Sequence, residues 1–194
     1  RTIKSFREAR GSIVGRAGTA KTFPKSLIGP LLFQGCERAR VATDFGHPLA
    51  NKFNLPLMMA ILLLAGGGLR KSEIFQLFAD DVRANEIRLY DPVLGRIEWR
   101  EKRTGERRTG QRAEYLADRF GRVPRNKLPR GHGQHAGWKS MLYDYAEPHF
   151  YSVVQWINGS QKSLFYHLFR IYRDHVLPTG LDHPYLFVSM SHGE

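Results

Sequence analysis

One stretch restricts this chain more than any other: Phe53 to Val82, FNLPLMMAILLLAGGGLRKSEIFQLFADDV. From Leu55 to Ala65 nearly every residue is apolar and a good helix former. Pro56 falls where a first helical turn accepts proline, and Gly66, Gly67 and Gly68 end the run. The pattern predicts a buried helix with an abrupt stop. A bilayer needs roughly 20 apolar residues, so this run is a core helix and not a membrane span. Beyond the glycines, Leu69, Ile74, Leu77 and Phe78 return at helical spacing, which predicts helix, glycine turn, helix. Glycine permits positive φ and a close backbone approach, while a helix start presents free N–H groups. Arg70 stands at that anion-attracting corner.

In AGGGLRKSEIFQLFADDV, the residues Gly68, Leu69, Arg70, Ser72, Glu73, Leu77 and Asp81 fall in register with a pattern of the form TGLR.SE...L...D. The segment thereby resembles the first catalytic box of the tyrosine recombinases, the phage-type site-specific integrases. The competing reading is an ordinary i, i+3 surface pair between Arg70 and Glu73, worth about 0.2–0.5 kcal/mol. The resemblance implies an α/β fold, mainly α: a helical catalytic domain with a small antiparallel β-sheet. Residues 23–194 would be its N-terminal portion and residues 1–22 a linker or the end of a preceding domain. It further implies DNA strand cleavage and rejoining through a phosphotyrosyl intermediate, with no metal or cofactor. Arg70 would hold the scissile phosphate. A lysine from the strand pair would protonate the leaving 5′ oxygen: Lys139 in GWKSML, or alternatively Lys102 in KRTGERR, which looks like the family's Lys-Thr-Gly hairpin. The implied partner is double-stranded DNA, with self-association in a synaptic assembly, in the cytoplasm. The family's second box and nucleophilic tyrosine would follow Leu186-Phe187. The chain opens on Arg1 and stops in SMSHGE, so both ends read as cut, and an inactive fragment of a longer enzyme is expected.

Charge supports a polyanionic partner independently. Thirty Lys and Arg against eighteen Asp and Glu leave a formal +12 among 194 residues, which favours nucleic acid through phosphate contacts and counterion release. An anionic membrane surface is the rival, but no basic amphipathic helix with a clean apolar face and no lipidation signal is visible. A single cysteine, Cys36, rules out an internal disulfide and suits a reducing compartment. The basic residues concentrate between Glu101 and His135, which reads as an extended insertion following a phosphate backbone. Its DNA-contact candidates are Arg103, Arg107, Arg108, Arg112, Arg125, Lys127 and Arg130. A non-catalytic nucleic-acid-binding module using that insertion is the alternative function.

Elsewhere, FPKSLIGPLLFQGC predicts a short helix interrupted at Gly29 and Pro30, and Glu37 to Lys52 a polar connection. EIRLY and RIEWR alternate and read as a β-hairpin or two neighbouring strands. GWKSML and FYSVVQWI read as a second strand pair. Ser160 to Val176 predicts an amphipathic helix capped by Asn158 or Ser160, and HPYLFVS a strand or buried tail. His167-Leu-Phe-Arg170 is a literal His-x-x-Arg, but the apolar period runs through it, so it belongs to the polar side of that helix. A zinc site from His132 and His135 with Cys36 or His149 lacks the usual Cys-x-x-Cys spacing. AGGGLRKS fails the phosphate-loop spacing, and adjacent Asp80 and Asp81 point to different faces, unlike a two-metal pair.

Overall fold

A computed structural model describes residues 24–38 and 43–188. The proposed linker at residues 1–22 lies outside the described residues. The architecture is mixed: helices with two small antiparallel sheets. Among the described residues no helix is long and apolar enough to cross a membrane.

A 3-10 turn, Lys25–Leu27, leads into α1 (Ile28–Phe33). Gly29 and Pro30 lie inside α1 and do not interrupt it, because proline within a first turn forfeits no intrahelical bond. The polar connection contains a short α2 (Pro48–Lys52), whose first turn is capped by His47 Nδ1 accepting from the Leu49 N–H at 3.2 Å. The apolar run forms α3 (Leu55–Ala65). Asn54 Oδ1 accepts from the Leu57 N–H, Pro56 sits in the first turn, and Leu55, Met58, Met59, Leu62 and Leu63 are buried. They pack with Phe165, Leu168 and Phe169 of α6 (Gly159–Ile171), which continues into one π-helical turn, Tyr172–Val176. Asn158 Oδ1 caps α6 on the Ser160 N–H, as its sequence indicates.

Glycine ends α3 for a steric reason. A Cβ on Gly67 would meet the Leu63 carbonyl oxygen and Val154 Cγ1, each at 2.9 Å, and Gly68 takes φ +68°. The chain therefore turns hard against the strand leading into α6.

The helix expected from Leu69 to Val82 is cut to a single turn, α4 (Lys71–Ile74), followed by a 3-10 turn at Ala79–Asp81. Tertiary pairing overrides helical periodicity here. The Leu186 N–H donates to the Leu77 carbonyl at 2.9 Å, the Ala79 N–H donates to the Pro184 carbonyl at 3.0 Å, and Phe78 bridges Tyr185. The apolar tail HPYLF is thus stitched along this segment, with Leu186 fully buried.

Strand pairing also differs from expectation. EIRLY and RIEWR supply β1 (Arg88–Tyr90) and β2 (Arg96–Arg100), but in separate sheets. Asp91 Oδ1 accepts from the N–H groups of Val93 and Leu94, and this turn redirects the chain. β2 pairs with β3 (Arg107–Gln111) as a hairpin, Arg96 opposite Gln111 and Arg100 opposite Arg107. β1 pairs with β4 (Tyr151–Val153), Arg88 opposite Val153. GWKSML is irregular and forms no strand, though the Leu142 carbonyl at its end accepts from Ser152 Oγ at 3.3 Å. Just before it, the Gln76 side-chain amide donates to the Ala136 carbonyl at 2.6 Å. The presumed extended insertion is folded: the β2–β3 hairpin, α5 (Arg112–Phe120) and a 3-10 turn at Arg125–Lys127.

Candidate functional site

The glycine corner delivers Arg70 to the start of α4, where Glu73 fixes it. The Arg70 backbone N–H donates to Glu73 Oε2 and its Nη1 donates to Glu73 Oε1, both at 2.7 Å. Glu73 is buried, whereas the Arg70 side chain is 55% exposed. A buried carboxylate holding an exposed guanidinium by one edge makes an oriented cation, with Nε and Nη2 unengaged among the described residues. The pair is the i, i+3 contact of the sequence, yet the burial of Glu73 distinguishes it from a solvated surface pair.

Arg70 lines a cavity of about 1140 Å³. Its walls also carry Lys71, Arg122, Arg125, His135 and His183, with Asp182 as the acid. Arg122 pairs with Asp182, and that contact lowers the Asp182 carboxyl. Arg125 is held from behind: Nη1 donates to the Phe75 carbonyl at 2.7 Å and the guanidinium lies 3.8 Å over the Tyr185 ring. Burial lowers its pKa. Burial, then the Arg125 charge, pushes His183 below the ordinary histidine value. The lowering favours the neutral ring, whose buried Nδ1 has no hydrogen-bond partner among the described residues, while the arginines supply the charge.

The lysine candidates stand elsewhere. Lys139 is exposed on an irregular segment, so its expected strand position is corrected. Lys102 occupies the β2–β3 turn, whose Gly105 takes φ +74°. Neither lines the Arg70 cavity. His167 and Arg170 face solvent on α6.

Of the DNA-contact candidates, Arg103, Lys127 and Arg130 are exposed. Arg107 pairs with Glu98, and Arg108 with the nearly buried Glu101 at 2.7 Å. Arg125 faces the Arg70 cavity. Arg112 is corrected outright: it is 2% exposed, paired with buried Asp81, and stacked 4.0 Å from Phe78 and 4.4 Å from Tyr90. A guanidinium so enclosed serves the core and reaches no phosphate backbone. Its spacing from Leu116, i to i+4 on α5, was the available signal, since that face points inward. The motif's Asp81 thereby acquires a structural role.

Lys71, Arg122, His135 and His183 were missed as cavity residues. Only the folding of Arg122 to Gly137 and Leu181 to Val188 towards α4 gathers them. Among the described residues no three His, Cys, Asp or Glu side chains gather as a metal ion would need. Cys36 is buried, and burial raises its thiol. No protein-family model, curated protein or solved structure matches this chain.

Proposed function

We propose that this chain builds the phosphate-holding part of a tyrosine-recombinase-type DNA cleavage centre, serving site-specific recombination or integration through a phosphotyrosyl intermediate. The observation that carries the reading is Arg70, oriented by buried Glu73 on the rim of a cavity lined with further arginines and histidines. Charge developing on phosphorane oxygens needs donors fixed beforehand, and a guanidinium clamped on one edge is such a donor. Lys102, at the tip of a β-hairpin, now stands ahead of Lys139 as the general acid. Duplex DNA is the partner, bound as an assembly of several copies.

A second reading, a non-catalytic nucleic-acid-binding module, is favoured by one observation: no lysine of the strand segments lines the Arg70 cavity. Covalent capture separates the two. Incubating the full open reading frame with a suicide DNA substrate should yield a phosphotyrosyl-DNA adduct, and its absence removes the enzyme reading.

Both readings require a salt-sensitive nucleic-acid complex, and the first requires it with duplex DNA. With +12 formal charge and about six phosphate contacts, duplex affinity is expected to fall roughly 10³-fold between about 50 and about 200 mM salt. A flat duplex titration would refute the recombinase reading, and flat titrations with duplex DNA and with RNA would refute both.

A further inference from the structure

Away from the Arg70 cavity, a second group of cations is arranged around Arg83. This exposed residue follows the Ala79–Asp81 turn and stands on the rims of two cavities. One, about 530 Å³, lies beside β2 and α5 and is lined also by Arg96, Arg100, Arg112 and Arg119. The other, about 560 Å³, lies against α6 and is lined by Lys162, Arg170 and Arg173. None of these residues lines the Arg70 cavity.

Internal carboxylates cancel little of this charge, although Arg173 pairs with Asp174 at 2.9 Å. The α6 cavity is lined by no acid. In the other, Asp81 is engaged by Arg112 and Glu98 by Arg107, leaving Asp80. Arg83, Arg96, Lys162 and Arg170 have no acidic partner among the described residues. Arg100 and Arg119 donate only to the carbonyls of Gly105 and Arg100. Like charges crowded this way repel unless an anion sits among them.

We propose that the two cavities, sharing Arg83, form a track for the phosphodiester backbone of a nucleic-acid strand, with phosphates seated on either side of Arg83. A free phosphate would fill one cavity and leave the other cations unmatched, whereas a backbone supplies repeated charges in line. Arg170, the arginine of the literal His-x-x-Arg, contacts the strand. The track shares with the reading above only its nucleic-acid partner and makes no use of Arg70.

The test is fluorescence anisotropy of the full chain with single-stranded and duplex oligonucleotides. Arg83→Gln/Arg170→Gln is compared with Lys25→Gln/Lys52→Gln, which removes equal charge elsewhere. The track pair should weaken binding about tenfold or more and reduce the salt slope by about one per lost contact, with the control pair close to wild type. Arg96→Gln/Lys162→Gln should repeat the loss and guards against misfolding of the first pair. A loss on single strands alone identifies an unpaired strand as the occupant, and a loss on the duplex identifies a duplex. Equal losses in track and control pairs, or no loss in either track pair, overturn the proposal. If the wild type binds no nucleic acid, track and recombinase reading fall together. If it binds but the track pairs are silent, the track alone falls.

Discussion

Asp81→Ala is expected to destabilise the fold by about 3–5 kcal/mol, because it strands a buried positive charge. Arg112 and Asp81 are 2% and 3% exposed, and Phe78 and Tyr90 close over the guanidinium. The carboxylate also accepts from the Phe78 N–H at 2.7 Å. Its removal leaves that backbone donor unsatisfied as well as the arginine. Arg112→Met should cost less near pH 4 than near pH 7. Burial already raises the Asp81 carboxyl, against the pull of Arg112 and the Phe78 N–H, and losing Arg112 raises it further. With the folded value above the unfolded value of about 4, the protonated acid is tolerated at low pH. Stability is then lost as pH rises from the unfolded towards the folded value. Asp81→Leu/Arg112→Met should recover most of either single loss, since an apolar pair carries no desolvation penalty. Urea unfolding of the four proteins at both pH values decides the matter. An Asp81→Ala variant within about 1 kcal/mol of wild type would show that the pair contributes little.

This ion pair also marks where the sequence stopped being readable. The Asp81 position was visible as part of a motif, and Arg112 as part of a basic run, but nothing local joined residues 31 apart. Elements dictated by local chemistry were legible: α3 from its apolar length and glycine stop, α6 from its period and Asn158, β1 and β2 from alternation. Their partners were not. β3 reads RRTGQ, with no apolar face to announce a strand, because the hairpin exposes most of it. The shortening of α4 depended on a tail more than a hundred residues away. Arg70 is legible as a candidate because glycine, arginine and glutamate lie within a few residues. The histidines and arginines opposite it come from distant loops, so only the folded chain brings them to one cavity.

On the recombinase reading proposed above, Arg70→Lys is expected to lower formation of the covalent DNA complex by roughly 10² to 10³, on the order of 3–4 kcal/mol, with little change in duplex affinity. Lysine keeps the charge and can still reach Glu73, but it is a point donor. The guanidinium engages Glu73 through Nη1 and retains Nε and Nη2 to hold a phosphate by two bonds. Ground-state binding of a long duplex draws on many cations, so losing one fork barely registers there, whereas the phosphorane charge depends on the few donors beside it. Glu73→Gln should act in the same direction but more weakly, since the amide can still accept from Arg70 without a full charge. A purely structural Arg70 gives another pattern: melting temperature and cleavage fall together, or neither moves. Phosphotyrosyl yield on a suicide substrate, measured in the full open reading frame beside the melting temperature, separates these cases. Unchanged yield in Arg70→Lys would remove Arg70 from the chemistry and leave it the lip of a cationic cavity.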